Sequence, residues 1–293
     1  MRDFKDKVAV VTGGASGIGL AMAQRFAREG MRVVIADIEA EALAAAEREI
    51  RSMGSTVLAV RTDVSKSQDV EALAASVLNS FGSVHIVCNN AGVGGTPGPI
   101  WERSIGDWQW VMGVNLWGVI HGIRTFVPIM LKQGGDAHIV NTASVAGLLS
   151  LSFAGVYHAT KHAVVTISET LYAELTSAGA RIGVSVLCPG FVKTRIMDSS
   201  RNRPAELTEG MVWMVSPAAQ AFREQFRSML DAGISPDSVA DKVLDAIRDE
   251  KLYILTHSEF NERIRQRVEG ILAGRNPALE LTLPNSASIS RSA

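Results

Sequence analysis

The chain has 293 residues, of which 47% are hydrophobic and 20% charged, and its formal net charge is −1. With no block of like charge it has no sequence-independent attraction to phosphate polymers or anionic membranes, so nucleic acid and membrane are both excluded as expected partners. The apolar share suits a globular fold that covers a sheet on both faces, and at this length roughly 75% of the unfolded surface can be buried.

The start, MRDFKDKVAVVTGG, carries charges up to Lys7 and then a short apolar run ending in glycines. It has neither a secretory leader nor a spanning segment, and a cytosolic protein is expected. KVAVVT from Lys7 predicts the first strand. The others in chain order are MRVVIA from Met31, TVLAV from Thr56, VHIVCN from Val84, AHIVNT from Ala137, GVSVLC from Gly183 and LYILT from Leu252. Most are nearly continuous in apolar residues, as strands buried on both faces of a parallel sheet are. Helical periodicity over 17–29, 39–52, 66–81, 104–131, 156–177, 236–250 and 259–272 supplies the covering layers. The alternation predicts a Rossmann-like, doubly wound α/β fold with a seven-stranded, mainly parallel sheet and helices on both faces. One domain over 1–275 is expected. It carries a long insert at about 195–234 that reads as a lid or binding loop, and a flexible tail over 276–293. Cys88 and Cys188 fall inside strand runs and read as reduced, inert thiols. The six histidines are scattered, so no metal site is inferred.

After the first strand comes TGGASGIG, with Gly13, Ser16, Gly17, Ile18 and Gly19 at the opening of a helix. A turn without side chains lets backbone N–H groups and a helix N-terminus face a pyrophosphate. Asp37 follows Gly19 by eighteen residues at the end of the second strand, where a carboxylate can accept the hydroxyls of an adenosine ribose. The same carboxylate would repel a 2′-phosphate, and neither Gly14 nor Ile38 offers a compensating cation. NAD(H) is therefore expected in preference to NADP(H). Asp63 and Val64 after the third strand read equally well as an adenine edge and as a simple helix cap.

The helix from Val156 begins Tyr157-His-Ala-Thr-Lys161, an i, i+4 pair that sets a phenol and an ammonium on one face. A nearby cation favours the phenolate, which is expected to bring Tyr157 down towards a useful range for acid–base work. Ser144, just past the strand AHIVNT, could hydrogen-bond the same substrate oxygen.

TGGASGIG, Asn89-Asn90-Ala91-Gly92, Asn115, Ser144, Tyr157 with Lys161, and Pro189-Gly190 followed by Thr194 occur together and in order. This constellation closely resembles the short-chain dehydrogenase/reductase family over about 7–194, and more loosely to about 256. The resemblance implies an oxidoreductase in which Tyr157 is the acid/base and Ser144 orients the carbonyl. By the same resemblance Lys161 lowers the Tyr157 pKa and holds the nicotinamide ribose, while Asn115 holds a water that relays protons to Lys161. It places Asn90, with Ala91 and Gly92, along the cofactor, and Pro189, Gly190, Val192 and Thr194 at the nicotinamide carboxamide. Asn115 could instead satisfy backbone at a helix kink, and Thr194 could cap the next helix. His158 reads as a structural or supporting residue.

The reaction implied is hydride transfer between NAD(H) and a secondary alcohol or its ketone. Met197, Met211, Trp213, Met214 and Phe222 in the insert suit a bulky apolar or aromatic substrate, and suit a packed loop or subunit interface equally. Two other activities fit the fold: nucleotide sensing without turnover, and redox-neutral epimerisation or dehydration with held NAD. Relatives of this kind pair the helices that carry Asn115 and Tyr157, so a homodimer or homotetramer is expected.

Overall fold

The computed structural model describes residues 1, 3–208 and 217–277. Met211, Trp213, Met214 and all but the first two residues of the tail expected over 276–293 lie outside the described residues. The apolar runs form seven strands: β1 (Val8–Thr12), β2 (Arg32–Asp37), β3 (Val57–Arg61), β4 (Ile86–Asn89), β5 (Ala137–Thr142), β6 (Ile182–Cys188) and β7 (Tyr253–Leu255). Their order is β3-β2-β1-β4-β5-β6-β7, and every pairing is parallel. β1 is buried at all its positions because it has a strand on each edge and helices on each face. At the sheet edge β7 instead alternates, with only Ile254 buried.

Nine helices cover the sheet among the described residues: α1 (Gly17–Arg28), α2 (Ala40–Ser52), α3 (Ser67–Phe81), α4 (Ile105–Met112), α5 (Gly118–Gln133), α6 (Gly155–Ser177), α7 (Pro217–Asp231), α8 (Pro236–Asp249) and α9 (Asn261–Leu272). Met22 and Phe26 of α1, Ile50 of α2, and Val243, Leu244 and Ile247 of α8 pack with Val11, Ile35 and Leu187 on one face. On the other, Leu73 and Val77 of α3, Phe126 and Met130 of α5, and Leu171 and Leu175 of α6 pack with Val10, Val34 and Ile139. The strand order turns back between β1 and β4, which opens a crevice at the carboxyl ends of the strands.

Two elements differ from the sequence expectation. The helix expected over 104–131 is α4 and α5 joined by a π-helical turn at Gly113–Trp117, a wider turn that re-aims the side chains on it. Together Ile105–Gln133 is long and apolar enough to cross a membrane by length and composition, and 39% of its most apolar window is buried in the fold. The insert is also more regular than a loop. It holds 3₁₀ turns at Ile196–Asn202 and Ala205–Leu207 before α7, whose amphipathic period was hidden beside a segment read as irregular.

His138 on β5 carries a large pH term. Ser185 Oγ donates to Lys251 O at 2.6 Å and so accepts from His138 Nε2 at 2.8 Å, with the ring 1% exposed. Burial holds this imidazole down at about 3, below its ordinary value of 6.5. The unfolded chain therefore binds more protons between those values, and the contribution, complete above pH 6.5, is lost as pH falls towards 3. Between pH 7 and pH 5 the expected loss is about 2 kcal/mol. Urea midpoints at the two pH values should diverge in the wild type and converge in His138→Gln; equal divergence in both would refute the assignment.

Candidate active site

At the end of β1 the chain turns at Gly13, whose φ is +63° and where a Cβ would stand 2.9 Å from Ala91 Cα. Gly19 sits closer still, for a Cβ there would lie 2.0 Å from Gly13 O. Only glycine allows this first turn of α1 to press against the loop. No acidic residue stands in that turn, and Ser16 at the N-cap makes no side-chain capping bond, so the N-terminal amides and the dipole of α1 are left to the crevice. Asp37 accepts the Ala15 N–H and the Glu39 N–H, both at 3.1 Å. Burial raises its carboxyl above the usual value, and those backbone bonds pull against the shift.

Asn90 is fixed by a residue the sequence reading passed over. Thr12 Oγ1 accepts the Asn90 N–H at 2.9 Å and the Ala91 N–H at 3.1 Å, while Asn90 Nδ2 donates to Thr12 O at 3.0 Å. Thr12 heads the TGGASGIG string, so its position was visible; its partner across the β1–β4 junction was not. Asp63 stands on the crevice wall and makes a local turn ahead of α3, whose N-cap is Lys66. Its carboxylate accepts from Ser65 N–H at 3.1 Å and Ser65 Oγ–H at 2.6 Å, and pairs with Lys66 at 3.3 Å. Val64 stands on the same wall.

Ser144, past β5, accepts the Ala146 N–H at 3.1 Å and donates to Pro189 O at 3.2 Å. Tyr157, in the first turn of α6, stands on the same crevice as Ser144. Lys161 Nζ lies 5.6 Å from the centre of the Tyr157 ring and donates to Thr142 O at 2.9 Å. Burial pushes Lys161 down to about 8. The expected lowering of Tyr157 does not appear in the polypeptide: burial raises the phenol above its ordinary value, and the Ser144 hydrogen bond only partly offsets it. The helical spacing showed the nearby charge but could not show the depth.

Asn115 stands on the π turn, 0% exposed. Its Oδ1 accepts the Val93 N–H at 2.8 Å, and its Nδ2 donates to Val93 O at 2.9 Å and to Thr160 Oγ1 at 3.4 Å. The wide turn thus carries an amide that fastens the loop after β4 to α6. His158 Nδ1 lies 2.9 Å from Ala146 O and 2.7 Å from Leu149 O, and its N–H ties the Ser144 loop to α6. Burial pushes the Cys188 thiol up to about 12 and Cys88 higher, as inert thiols require.

The site opens on one crevice of about 1040 Å³, and Asn115 stands behind its wall. Gly13, Asp37 and Val64 stand on it with Asn90, Ser144, Tyr157 and Lys161. Gly190, Val192 and Thr194 also line it, and Thr194 lies against Gly17, where a Cβ would come within 3.1 Å of its methyl.

A Rossmann-like sheet with a glycine turn at its switch point and a Ser–Tyr–Lys cluster in the same crevice defines a dinucleotide-type α/β architecture. A family model described as short chain dehydrogenase matches residues 7–205, and the chain belongs to the short-chain dehydrogenase family of oxidoreductases. It is 36% identical over 282 residues to a "CLA biosynthesis dehydrogenase/reductase" from Lactiplantibacillus plantarum, across 96% of this chain and 98% of that protein. It is 34% identical to a "C alpha-dehydrogenase" from a Sphingobium species, across 93% and 87%. Among solved structures, a short chain dehydrogenase/reductase from Burkholderia phymatum in complex with NAD is similar at a TM-score of 0.93 and 46% identity, covering 97% of this chain and 100% of that one.

Proposed function

We propose that this protein is an NAD(H)-dependent oxidoreductase that interconverts a bulky apolar or aromatic secondary alcohol and its ketone. The clustering of Ser144, Tyr157 and buried Lys161 on one crevice carries the reading. The dehydrogenase names of relatives and the NAD in a similar structure support it.

The crevice residues fit a dinucleotide, because Gly13 and Gly19 leave space a Cβ would fill and the α1 amides face it uncapped. Gly13, Ser16, Gly17, Ile18 and Gly19 would hold the pyrophosphate and Asp37 the adenosine ribose. Asn90, Ala91 and Gly92 would hold the middle, with Pro189, Gly190, Val192 and Thr194 at the nicotinamide end. When bound, NAD(H) supplies the hydride donor or acceptor. Tyr157, as a phenol protonated at neutral pH, gives its proton to the substrate oxygen in the direction of ketone reduction. Ser144 hydrogen-bonds that oxygen as charge develops, and Lys161 stabilises the tyrosinate left behind. Asn115, by holding Val93 and Thr160, keeps the loop after β4 against α6.

Trp110, Val111, Leu149, Phe153 and Met197 on the crevice wall support the apolar substrate class. Trp117 and Leu131, 47% and 50% exposed on the π turn and α5, support pairing of two copies across that helix. The test is absorbance of NADH mixed with purified protein and a panel of aryl and aliphatic ketones. Oxidation of NADH with the bulkier ketones is expected; NADH binding without oxidation across the whole panel would overturn the reading.

Asp37 sets the cofactor preference in this reading. Removing its negative charge in Asp37→Ser should narrow the ratio of kcat/KM for NADH over NADPH by about tenfold or more. An unchanged ratio would remove Asp37 from the adenosine site.

A further inference from the structure

We infer that His257, just after β7, is a positioning residue that sets the Pro189-Gly190-Phe191 turn against the nicotinamide end of the crevice. This rests on the dinucleotide reading of that turn. The imidazole is 9% exposed and grips two consecutive backbone groups of the turn. The Gly190 N–H donates to its Nδ1 at 3.1 Å, and its Nε2 lies 3.0 Å from Phe191 O. A backbone N–H can only donate and a carbonyl can only accept, so one neutral tautomer, with the proton on Nε2, satisfies both. Thr256 Oγ1 lies 2.6 Å from the same Nδ1 and adds its hydroxyl to that side.

The approach is close. A Cβ at Gly190 would stand 2.8 Å from His257 Cγ and 2.8 Å from Phe260 Cε2, so the turn and the ring are in contact and not merely bridged. Phe260 packs on both, its ring centre 6.1 Å from His257 and 6.2 Å from Phe191. Phe191 in turn meets Phe226 of α7 at 5.4 Å, and the Ile234 N–H donates to Phe191 O at 3.1 Å where the insert returns to the sheet.

On its other side the turn is fastened to the catalytic loop, since Pro189 O accepts Ser144 Oγ–H at 3.2 Å and Val145 N–H at 2.9 Å. The turn is therefore held between Ser144 and His257. Gly190 and Val192, two of the residues expected at the carboxamide, sit on the segment that His257 immobilises, and Val192 pairs with Ile234 beside it. Phe191 O shares the imidazole with the Ile234 N–H, whereas among the described residues His257 Nδ1 is the acceptor of the Gly190 N–H. A merely space-filling role would be met by any ring of similar size; the fixed tautomer and the two backbone bonds require nitrogen at both positions.

The test compares His257→Ala, His257→Phe, His257→Asn and His257→Gln in the full chain. It reads NADH affinity by fluorescence, thermal midpoint, and kcat and KM with the best ketone. Losing the acceptor of the Gly190 N–H and one of the two donors to Phe191 O should weaken NADH binding and lower kcat, each by about tenfold, in His257→Ala and His257→Phe. His257→Asn keeps an acceptor for Gly190 and His257→Gln keeps a donor for Phe191, and each should recover most of one effect. Lowered thermal midpoints with NADH affinity and KM unchanged would overturn the inference and leave His257 as packing alone. If His257→Ala fails to fold, the Phe, Asn and Gln variants decide the matter by the same criteria. Failure of the wild type to bind NADH would instead defeat the dinucleotide reading itself.

Discussion

Tyr157→Phe is expected to lower kcat for ketone reduction by about 10²–10⁴-fold, the range for a positioned acid–base group, while NADH affinity stays within about twofold. The substitution removes one hydroxyl and leaves the ring that lies 5.6 Å from Lys161 Nζ. Ser144 keeps its bonds to Pro189 O and the Ala146 N–H, so the loop should not move. At about 1.4 kcal/mol per decade, the loss corresponds to about 3–6 kcal/mol of barrier, more than rearranged packing of one buried ring edge would cause. The check is a single-turnover rate with NADH already bound, which isolates the chemical step. A residual rate within tenfold of wild type would mean that the proton comes from elsewhere.

The second large effect is on stability. Asp107 on α4 is 1% exposed and pairs with Arg203 at 2.5 Å, while Arg103 stands 4.0 Å away on its other side. Arg203 also donates to Thr96 Oγ1 at 3.1 Å and to Leu207 O, and its guanidinium lies 5.3 Å from the Trp110 ring centre. The cluster pins the start of the insert to the core wall of the crevice. Removing the Asp107 carboxylate takes a buried partner from both guanidinium groups, and breaking a buried ion pair this way costs about 3–5 kcal/mol. Arg203→Met should cost less than Asp107→Ala, since Arg103 still faces the remaining carboxylate. Urea unfolding at neutral pH gives the comparison; equal costs, or a loss under 1 kcal/mol for Asp107→Ala by the same scale, would show that the cluster hydrates through local opening of the insert.

Much of this architecture was legible before the fold was known. Val8 to Val11, continuously apolar, could only be a strand covered on both faces, and all four are 0% exposed. Gly13, Gly17, Gly19 and Asp37 were placed together by spacing, because a glycine turn and the next strand end lie within one β-α-β unit. Tyr157 and Lys161 were placed on one face by the helix period alone. The helix α7 was missed because its polar and apolar residues adjoin a stretch that gives no period. The π turn was missed because Gly113 to Trp117 look like ordinary helix in sequence.

What the sequence by itself determined is carried by short-range geometry: the strands and most of the helices, the glycine turn, and the phenol–ammonium pair. The tertiary structure alone decided which distant groups meet. Arg203 reaches Asp107 across 96 residues and His257 reaches Gly190 across 67, separations at which no periodicity survives. It also decided the sign of the Tyr157 shift. A neighbouring charge can be read from an i, i+4 spacing, but desolvation depends on how much protein surrounds the group, and only the packed fold sets that.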